Sequence, residues 1–233
     1  MSDDLDVKSC KVVLLGESGV GKTCIISRYT SNIFEDNGIS TTGASYCAKT
    51  LSFEEYGGKT IKFEIWDTAG QEKYRAINKI FMENSQIVLL VYDITQKESF
   101  TELEYWYEMT KEINNSKNTI FVICANKCDL FEQQIISKEE GINFAKNICN
   151  NSLFFEISSK DFESINNLFN KVIIEYLNNK YHIKSILKEV DKIKNNIIQE
   201  EEELDNITND SITLYNVSQN DLKGKSFCCK RKR

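Results

Sequence analysis

The stretch from Gly16 to Thr23, GESGVGKT, constrains the fold of this chain more than any other. It fits the phosphate-loop pattern, in which a glycine and four further residues are followed by Gly-Lys-Thr. The apolar run Val12–Leu15 before it predicts a buried strand, and the run Cys24–Tyr29 after it predicts the start of a helix. Glycines let the backbone wrap around a polyphosphate, and the helix adds its N-terminal N–H donors. Strand, loop and helix in this order predict a binding site for a nucleoside triphosphate.

Two side chains of this loop suit the ligand. Lys22 would place its charge near the outer phosphates, and the Thr23 hydroxyl would ligate Mg²⁺. The residues expected to contact the nucleotide here are Glu17, Ser18, Gly19, Val20, Gly21, Lys22, Thr23 and Cys24.

Composition narrows the class of protein. Hydrophobic residues make up 41% of the 233 positions, enough for a core, and a net charge of −6 gives no reason to expect a nucleic-acid partner. No apolar run is long enough to span a membrane, and the acidic start MSDDLDVKS is not a secretion signal. The cysteines are mostly scattered among apolar residues, and Cys124 and Cys128 lack a second pair at zinc-site spacing, so we expect a reducing, cytosolic environment.

Apolar strand patterns alternate with helical patterns, which predicts an α/β fold with a mostly parallel, six-stranded sheet and helices on both faces. The predicted strands are Lys11–Leu15, Ala44–Phe53, Thr60–Trp66, Ile87–Asp93, Ile120–Asn126 and Leu153–Ile157. The predicted helices are Lys22–Ser31, Glu98–Ile113, Lys138–Ile148 and Phe162–Leu177. A capping box, Ser137–Glu140, marks one helix start. The second and third strands are joined by a short turn, so they should pair antiparallel at the edge of the sheet.

A second motif, Trp66–Gln71, follows the third predicted strand. The Asp67 carboxylate can hold Mg²⁺ through a water, and Gly70 lets its backbone N–H approach the terminal phosphate. Gln71 can orient an attacking water without titrating, so it is the predicted catalytic residue.

Two further motifs follow the last two strands and predict recognition of guanine. In Asn126-Lys127-Cys128-Asp129, the Asp129 carboxylate can accept two N–H bonds that guanine offers and adenine does not. Lys127 can lay its aliphatic stem along the plane of the base. Ser158, Ser159 and Lys160 would supply backbone N–H groups for the guanine carbonyl.

Together these motifs resemble those of a Ras-like small GTPase, over roughly Lys8 to Leu177. Within that superfamily the chain looks most like the Rab family. The segments that carry the likeness are ISTTGASY (Ile39–Tyr46), KFEIWDTAGQEKYRAI (Lys62–Ile77) and LVYDIT (Leu90–Thr95). The GAS triplet and the KFEIW block lean towards the early-endosomal branch. Departures include Thr42, where the family usually has Ile, and Ile80–Ser85, which lacks the Tyr-Tyr-Arg common after the Gln motif.

The resemblance implies a P-loop GTPase fold and a GTP/GDP switch that hydrolyses GTP with Mg²⁺ and regulates vesicle or endosomal trafficking. Thr41 would supply the second Mg²⁺ hydroxyl and sense the third phosphate, and Phe34 would pack edge-on against the guanine. Effectors, exchange factors and GTPase-activating proteins would bind Ile39–Tyr46 and Gly70–Ile80. The alternative from another class is a GTP-binding scaffold that recruits partners whatever nucleotide it holds.

We expect residues 1–7 to be an N-terminal extension and 8–180 the GTPase domain. The change in sequence character after Leu177 predicts a helical extension at 181–199 and a hypervariable tail at 200–233. Apolar residues recur at spacings of three and four between Ile183 and Ile197, which fits either an extended last helix or a short coiled coil with a partner. The paired Cys228 and Cys229 look like a double-prenylation site, which would anchor the protein to the cytoplasmic face of a membrane. Four basic residues follow them and could add attraction to anionic lipid, although the family's usual endings place the cysteines closer to the terminus. Palmitoylation and a plain solvated tail are the alternatives.

Overall fold

The computed structural model describes residues 8–35, 41, 43–54, 58–71, 75–114, 119–148 and 152–180, with only the backbone of residues 59 and 75–77. The strands in this part of the chain are β1 (Lys8–Leu15), β2 (Ala44–Phe53), β3 (Lys59–Thr68), β4 (Ile87–Asp93), β5 (Ile120–Asn126) and β6 (Leu153–Glu156). The α-helices are α1 (Lys22–Ser31), α2 (Arg75–Met82), α3 (Lys97–Thr101), α4 (Leu103–Asn114), α5 (Lys138–Ile148) and α6 (Phe162–Lys180). A 3₁₀ segment, Cys128–Gln133, follows β5.

The six strands form one sheet in the order β2-β3-β1-β4-β5-β6. Only β2 and β3 pair antiparallel, with Ala44 opposite Thr68 and Phe53 opposite Lys59. The remaining neighbours pair parallel. The mostly parallel sheet with one antiparallel edge hairpin, predicted from the sequence, is therefore confirmed.

Helices cover both faces of the sheet, which is why β4 and β5 are buried at every position. On one face, alternate residues of the central strands, including Leu15, Leu90 and Ile123, share a core with Trp106 of α4. On the other face, Tyr29 of α1 stacks on Phe169 of α6 with their ring centroids 3.7 Å apart. The two cores fix the helices to the sheet and thereby fix the loops at the strand ends.

Most element predictions hold, with three corrections. The predicted helix Glu98–Ile113 is two helices, α3 and α4, because the N–H of Glu102 is shared between the carbonyls of Glu98 and Phe100 and the turn tightens there. Helix α2 and the 3₁₀ segment were not predicted. Several ends also move: β1 begins at Lys8, β3 runs from Lys59 to Thr68, β6 stops at Glu156, and α6 continues to Lys180.

The capping box that opens α5 is confirmed. The N–H of Ser137 donates to Glu140 Oε2 at 2.8 Å, and the N–H of Glu140 donates to Ser137 Oγ at 3.2 Å. All the strands belong to a compact unit that ends at Leu177. Among the described residues, no helix has both the length and the apolar character needed to cross a bilayer.

Candidate functional site

The phosphate loop lies directly after β1, where its conformation depends on glycine. Gly16 has a φ of +144° and Gly21 a φ of +97°, values that side chains with a Cβ rarely adopt. A Cβ on Gly16 would lie 2.1 Å from the carbonyl oxygen of Val91, and one on Gly21 would lie 2.4 Å from Asn126 Nδ2. Gly21 also opens α1, since its carbonyl accepts the N–H of Ile25 at 2.9 Å. Both glycines are therefore needed for close packing as well as for backbone shape.

Lys22 is folded back over the loop. Its ammonium donates to the carbonyl oxygens of Gly16 and Glu17 at 2.7 and 2.8 Å, and the residue is only 6% exposed. Burial lowers the pKa of Lys22 to about 8, against the opposing attraction of Asp67 and Glu17. The loop thus holds a buried cation whose hydrogen bonds go to carbonyl oxygens of the loop, which suits it to an anionic ligand.

Thr23, Thr41 and Asp67 meet beside this lysine although they are far apart in sequence. Thr23 Oγ1 donates to Asp67 Oδ2 at 2.7 Å and lies 2.8 Å from Thr41 Oγ1. Thr41 Oγ1 also reaches Asp67 Oδ2, at 3.5 Å. The three predicted metal-site residues are therefore brought to one point.

The carboxylate of Asp67 is incompletely satisfied. The residue is 1% exposed, and its Oδ1 atom is buried with no hydrogen-bond partner in the part of the chain that the structure describes. Burial raises its pKa above the ordinary value, while hydrogen bonds from Thr23 and Thr41 and the charge of Lys22 oppose that rise. A hard divalent cation prefers carboxylate and hydroxyl oxygens, so this set of donors fits Mg²⁺.

The turn after β3 is packed against the phosphate loop. A Cβ on Gly70 would lie 2.4 Å from both the Glu17 carbonyl carbon and the Ser18 nitrogen, so only glycine allows this approach. The buried Asn78 of α2 donates to the carbonyl of Ala69 at 2.8 Å and fixes the turn from behind. Gln71 is half-buried and directly follows Gly70, whose backbone packs against the phosphate loop.

Asn126 joins the two ends of the site. Its Nδ2 donates to the carbonyl of Val20 in the phosphate loop at 2.8 Å, and its Oδ1 accepts the N–H of Ser159 at 3.1 Å. The residue is fully buried at the end of β5. One amide side chain therefore connects the phosphate loop to the loop after β6.

Asp129 is held by two neighbours in that second loop. Its Oδ1 accepts the Ser158 hydroxyl at 2.6 Å, and its Oδ2 accepts the Lys160 ammonium at 2.8 Å. Burial raises the pKa of Asp129, but the bonds from Lys160 and Ser158 outweigh it and the net shift is downward. The carboxylate is thus ionised and already engaged at both oxygens.

Sequence reasoning missed two residues that support this end of the site. Asp93, buried at the end of β4, binds the Lys127 ammonium at 2.8 Å through Oδ2, while its Oδ1 accepts the N–H and hydroxyl of Thr95. Lys127 itself has a left-handed backbone, with φ at 65°. Arg28 of α1 donates to the carbonyl of Ser159 at 3.2 Å. The carboxylate at a strand end was a usable signal for Asp93; a lone arginine in a helix gave none for Arg28.

The remaining predicted residues are distributed as follows. Cys24 donates its thiol to the carbonyl of Glu35 at 3.4 Å, and Phe34 is half-buried near Arg28. Ile39 and Ser40, the residues after Gln71 up to Tyr74, the stripe from 183 to 197 and both Cys228 and Cys229 lie outside the described residues.

Comparison with known proteins supplies the identity. A model of the Ras family matches residues 11–178. Ras-related protein Rab-22A of Homo sapiens is 36% identical over 163 residues, covering 70% of this chain and 81% of the relative. Ras-related protein RGP2 of Oryza sativa subsp. japonica is 40% identical over 166 residues, covering 71% of this chain and 73% of the relative. Ras-related protein SEC4 of Candida albicans is 32% identical over 220 residues, covering 94% and 93%.

The matched region runs from Lys11 within β1 to Asn178 near the end of α6, and it includes every contact of the site described above. The chain therefore belongs to the Ras family and within it to the Rab proteins, small GTPases that bind guanine nucleotide and hydrolyse GTP.

Proposed function

We propose that this protein is a Mg²⁺-dependent GTP/GDP switch that acts in vesicle trafficking on the cytoplasmic face of an intracellular membrane. The observation that carries the proposal is the convergence of Thr23, Thr41 and Asp67, whose buried Oδ1 atom has no partner among the described residues. Such a site is left incomplete by the protein alone, and a cation with its nucleotide completes it.

Thr23 and Thr41 would hold Mg²⁺ directly, and Asp67 would hold it through a water. When bound, Mg²⁺ neutralises charge on the phosphate oxygens. Lys22 would exchange its bonds to the loop carbonyls for the outer phosphates, and the loop N–H groups of Glu17 to Cys24 would surround them. Phosphoryl transfer needs little more from a protein than such positioning and charge stabilisation.

Gln71 would orient the attacking water. It follows Gly70, whose backbone packs against the phosphate loop, so its side chain starts beside the expected position of the third phosphate. An amide both donates and accepts without changing charge, which suits it to hold a water rather than to remove its proton.

The guanine end would be formed by Asn126, Lys127 and Asp129 together with Ser158, Ser159 and Lys160, with Phe34 against the base. Asp129 is ionised and can accept both guanine donors once Ser158 and Lys160 yield their places. Lys127 is held by Asp93, which orients its aliphatic stem.

Thr41 would make the site a switch. Its hydroxyl contacts Thr23 and Asp67 at the metal position, so the loop that carries it gains or loses its hold with the third phosphate. Partners that bind Ile39–Tyr46 and Gly70–Ile80 would sense that change. Tyr46 and Ile80 are 46% and 65% exposed, so both offer apolar surface to a partner.

Single-turnover hydrolysis of GTP tests the mechanism. We expect slow hydrolysis that stops without Mg²⁺, and an activating protein would raise it by roughly three to five orders of magnitude. Gln71→Leu should lower hydrolysis by at least about tenfold while leaving GTP affinity unchanged. Equal hydrolysis by this variant and the parent protein would remove Gln71 from the mechanism.

The non-cycling scaffold is not favoured, because the relatives are Ras-related proteins matched through the whole site. Partner capture with GTP-analogue and GDP loading separates the two functions. Capture that depends on the third phosphate supports the switch, and equal capture in both states supports the scaffold.

We extend the proposal to the anchor and the domain boundaries. Residues 8–180 would be the GTPase domain, followed by a helical extension and a tail whose Cys228 and Cys229 carry two prenyl groups, with an endosomal location. Two lipid chains anchor stably where one does not. The intact mass of the C-terminal peptide from the native cell tests this: two isoprenoid additions support it, and an unmodified peptide on membranes contradicts it.

A further inference from the structure

Arg28 occupies an unusual place in the last turns of α1. The first turn of this helix carries Lys22 and Thr23 at the phosphate end of the site, while Arg28 extends towards the opposite end. Its Nε atom donates to the carbonyl of Ser159 at 3.2 Å across 131 residues of sequence. The side chain therefore ties α1 to the loop after β6.

The Ser159 peptide is consequently held from both sides. Its N–H donates to Asn126 Oδ1 at 3.1 Å, and its carbonyl accepts Arg28. Ser159 is also buried, so water does not replace either bond readily. Loss of Arg28 would leave the carbonyl unpaired and free the loop on that side.

The same guanidinium also fixes the chain that leaves α1. Its Nη1 atom donates to both the backbone carbonyl and the side-chain Oδ1 of Asn32, each at 3.0 Å. Asn32 ends the helix in a left-handed conformation with φ at 56°. Two residues later, the Phe34 ring lies with its centroid 5.8 Å from the guanidinium carbon, within cation–π range.

We propose that Arg28 is a positioning residue that sets how long guanine nucleotide stays bound. It joins the two walls of the base pocket, Phe34 on one side and Ser158–Lys160 on the other, through its contacts with Ser159, Asn32 and the Phe34 ring. This inference rests on the proposed roles of those two walls. Arginine is suited to the task because its planar fork serves Ser159 and Asn32 at fixed angles, which a lysine ammonium cannot do.

The experiment measures release of fluorescent GDP from Arg28→Ala, Arg28→Lys and the parent protein, each GDP-loaded with Mg²⁺. We expect release about tenfold or more faster for Arg28→Ala. The release rate of Arg28→Lys should lie between those of the parent protein and Arg28→Ala, because lysine keeps the charge but lacks the planar guanidinium fork. If Arg28→Ala does not fold, Arg28→Lys alone carries the test, and parent-like release from it would overturn the proposal.

Lys49→Ala is the matched control. Lys49 also lies over an aromatic ring of α1, 4.0 Å from the Tyr29 centroid, and donates to the Tyr29 carbonyl at 3.4 Å. It lies in β2 opposite Phe63 and belongs to neither wall of the proposed base pocket. We expect parent-like GDP release from this variant. Faster release from Lys49→Ala by the same factor as from Arg28→Ala would mean general loosening of α1 and would overturn the proposal.

A second measurement tests recognition of the base separately. In 6-thio-GDP the guanine carbonyl becomes a weaker acceptor, so the ratio of GDP to 6-thio-GDP affinity reports how well the Ser158–Lys160 backbone is placed. Arg28→Ala should shrink this ratio, and an unchanged ratio would contradict positioning through Ser159. If the parent protein does not prefer GDP over ADP, the proposed base pocket is wrong. If the parent protein prefers GDP and the Arg28 variants release GDP at the parent's rate, only the proposed role of Arg28 is refuted.

Discussion

The two ends of the nucleotide site differ in how they are prepared for their ligand. At the phosphate end, comprising Gly16–Thr23 and Asp67–Gly70, Lys22 is 6% exposed and Asp67 is 1% exposed. At the guanine end, comprising Asn126–Asp129 and Ser158–Lys160, the side chains of Lys160 and Asp129 are 55% and 29% exposed and bind each other. The phosphate end holds two buried charges, and one oxygen of the Asp67 carboxylate has no partner among the described residues. The guanine end instead holds a partly exposed ion pair.

The pKa shifts follow this division. Burial lowers the pKa of Lys22 and raises that of Asp67, so each charged form is disfavoured in the protein without ligand. The pKa of Asp129, unlike that of Asp67, is lowered, because the bonds from Lys160 and Ser158 outweigh the effect of burial. Ligand binding should therefore relieve a cost at the phosphate end, where polyphosphate and cation supply missing charge, and exchange one set of bonds for another at the guanine end. Affinity would then come mainly from the first and specificity from the second.

The largest effect is expected from Asp129→Asn, which breaks the guanine end alone. An Asn amide offers one acceptor and one donor, which suits the N–H and carbonyl of xanthine and leaves one guanine donor unpaired. We expect GDP affinity to fall by about 100- to 1,000-fold and xanthosine diphosphate to bind better than GDP. Competition binding of the two nucleotides measures this. Unchanged preference for GDP would place base recognition elsewhere.

Lys22→Met tests the buried cation at the phosphate end. Because folding lowers the pKa of Lys22 from 10.5 to about 8, the unfolded chain binds more protons between those values, and the free energy of unfolding should rise with pH in that window. The rise attributable to Lys22 is at most about 3 kcal/mol. Urea unfolding of the nucleotide-free parent protein and of Lys22→Met, each at pH 8 and pH 10, measures the part of this rise that Lys22 causes. The same slope in both proteins would mean that other groups cause the rise.

Gly21→Ala should perturb both the phosphate end and the guanine end of the site. Its Cβ would lie 2.4 Å from Asn126 Nδ2, so the bridge from Asn126 to Val20 and Ser159 would have to shift. We expect a loss of about 2–3 kcal/mol in the free energy of unfolding. Gly19→Ala is the control, since it shares a positive φ of +80° but meets nothing within 4 Å. Its loss should be about 1 kcal/mol, from backbone strain alone. Thermal unfolding of both variants compares them, and equal losses would argue against the bridge.

Lys160→Met should give the smallest effect. Its ion pair with Asp129 is largely solvated, so we expect less than about 1 kcal/mol in stability. The pKa of Asp129 should rise, because its lowered value depends on Lys160. The ionised Asp129 therefore contributes stability above its usual pKa, and this stability is lost as the pH falls through its lowered pKa. In the variant the same stability should be lost at a higher pH. Carboxyl carbon NMR titration follows this directly. An unmoved pKa would mean that Ser158 alone sets it.

Much of this site could be predicted from local sequence. The phosphate loop needs glycines, a lysine and a hydroxyl residue in one run of eight, and its strand and helix are its immediate neighbours. The bounds of α1, β2, β4, β5 and α5 were also predictable, because hydrophobic periodicity and the capping box act within a few residues. Helix α2 was not predicted because its eight residues are fewer than the stretch of about 11–18 residues over which hydrophobic periodicity distinguishes a helix.

Only the tertiary structure decided which side chains meet. Asn126 reaches Val20 across 106 residues, and Arg28 reaches Ser159 across 131, neither through any local pattern. The strand order β2-β3-β1-β4-β5-β6 brings the carboxyl ends of five strands to one edge, and Asp93 becomes a site residue through it. The sequence by itself determined the chemistry available, since that resides in residue types and short spacings. The pairing of distant groups, and the burial that shifts the pKa values of Lys22 and Asp67, arise only when the sheet and its two helical layers exclude water.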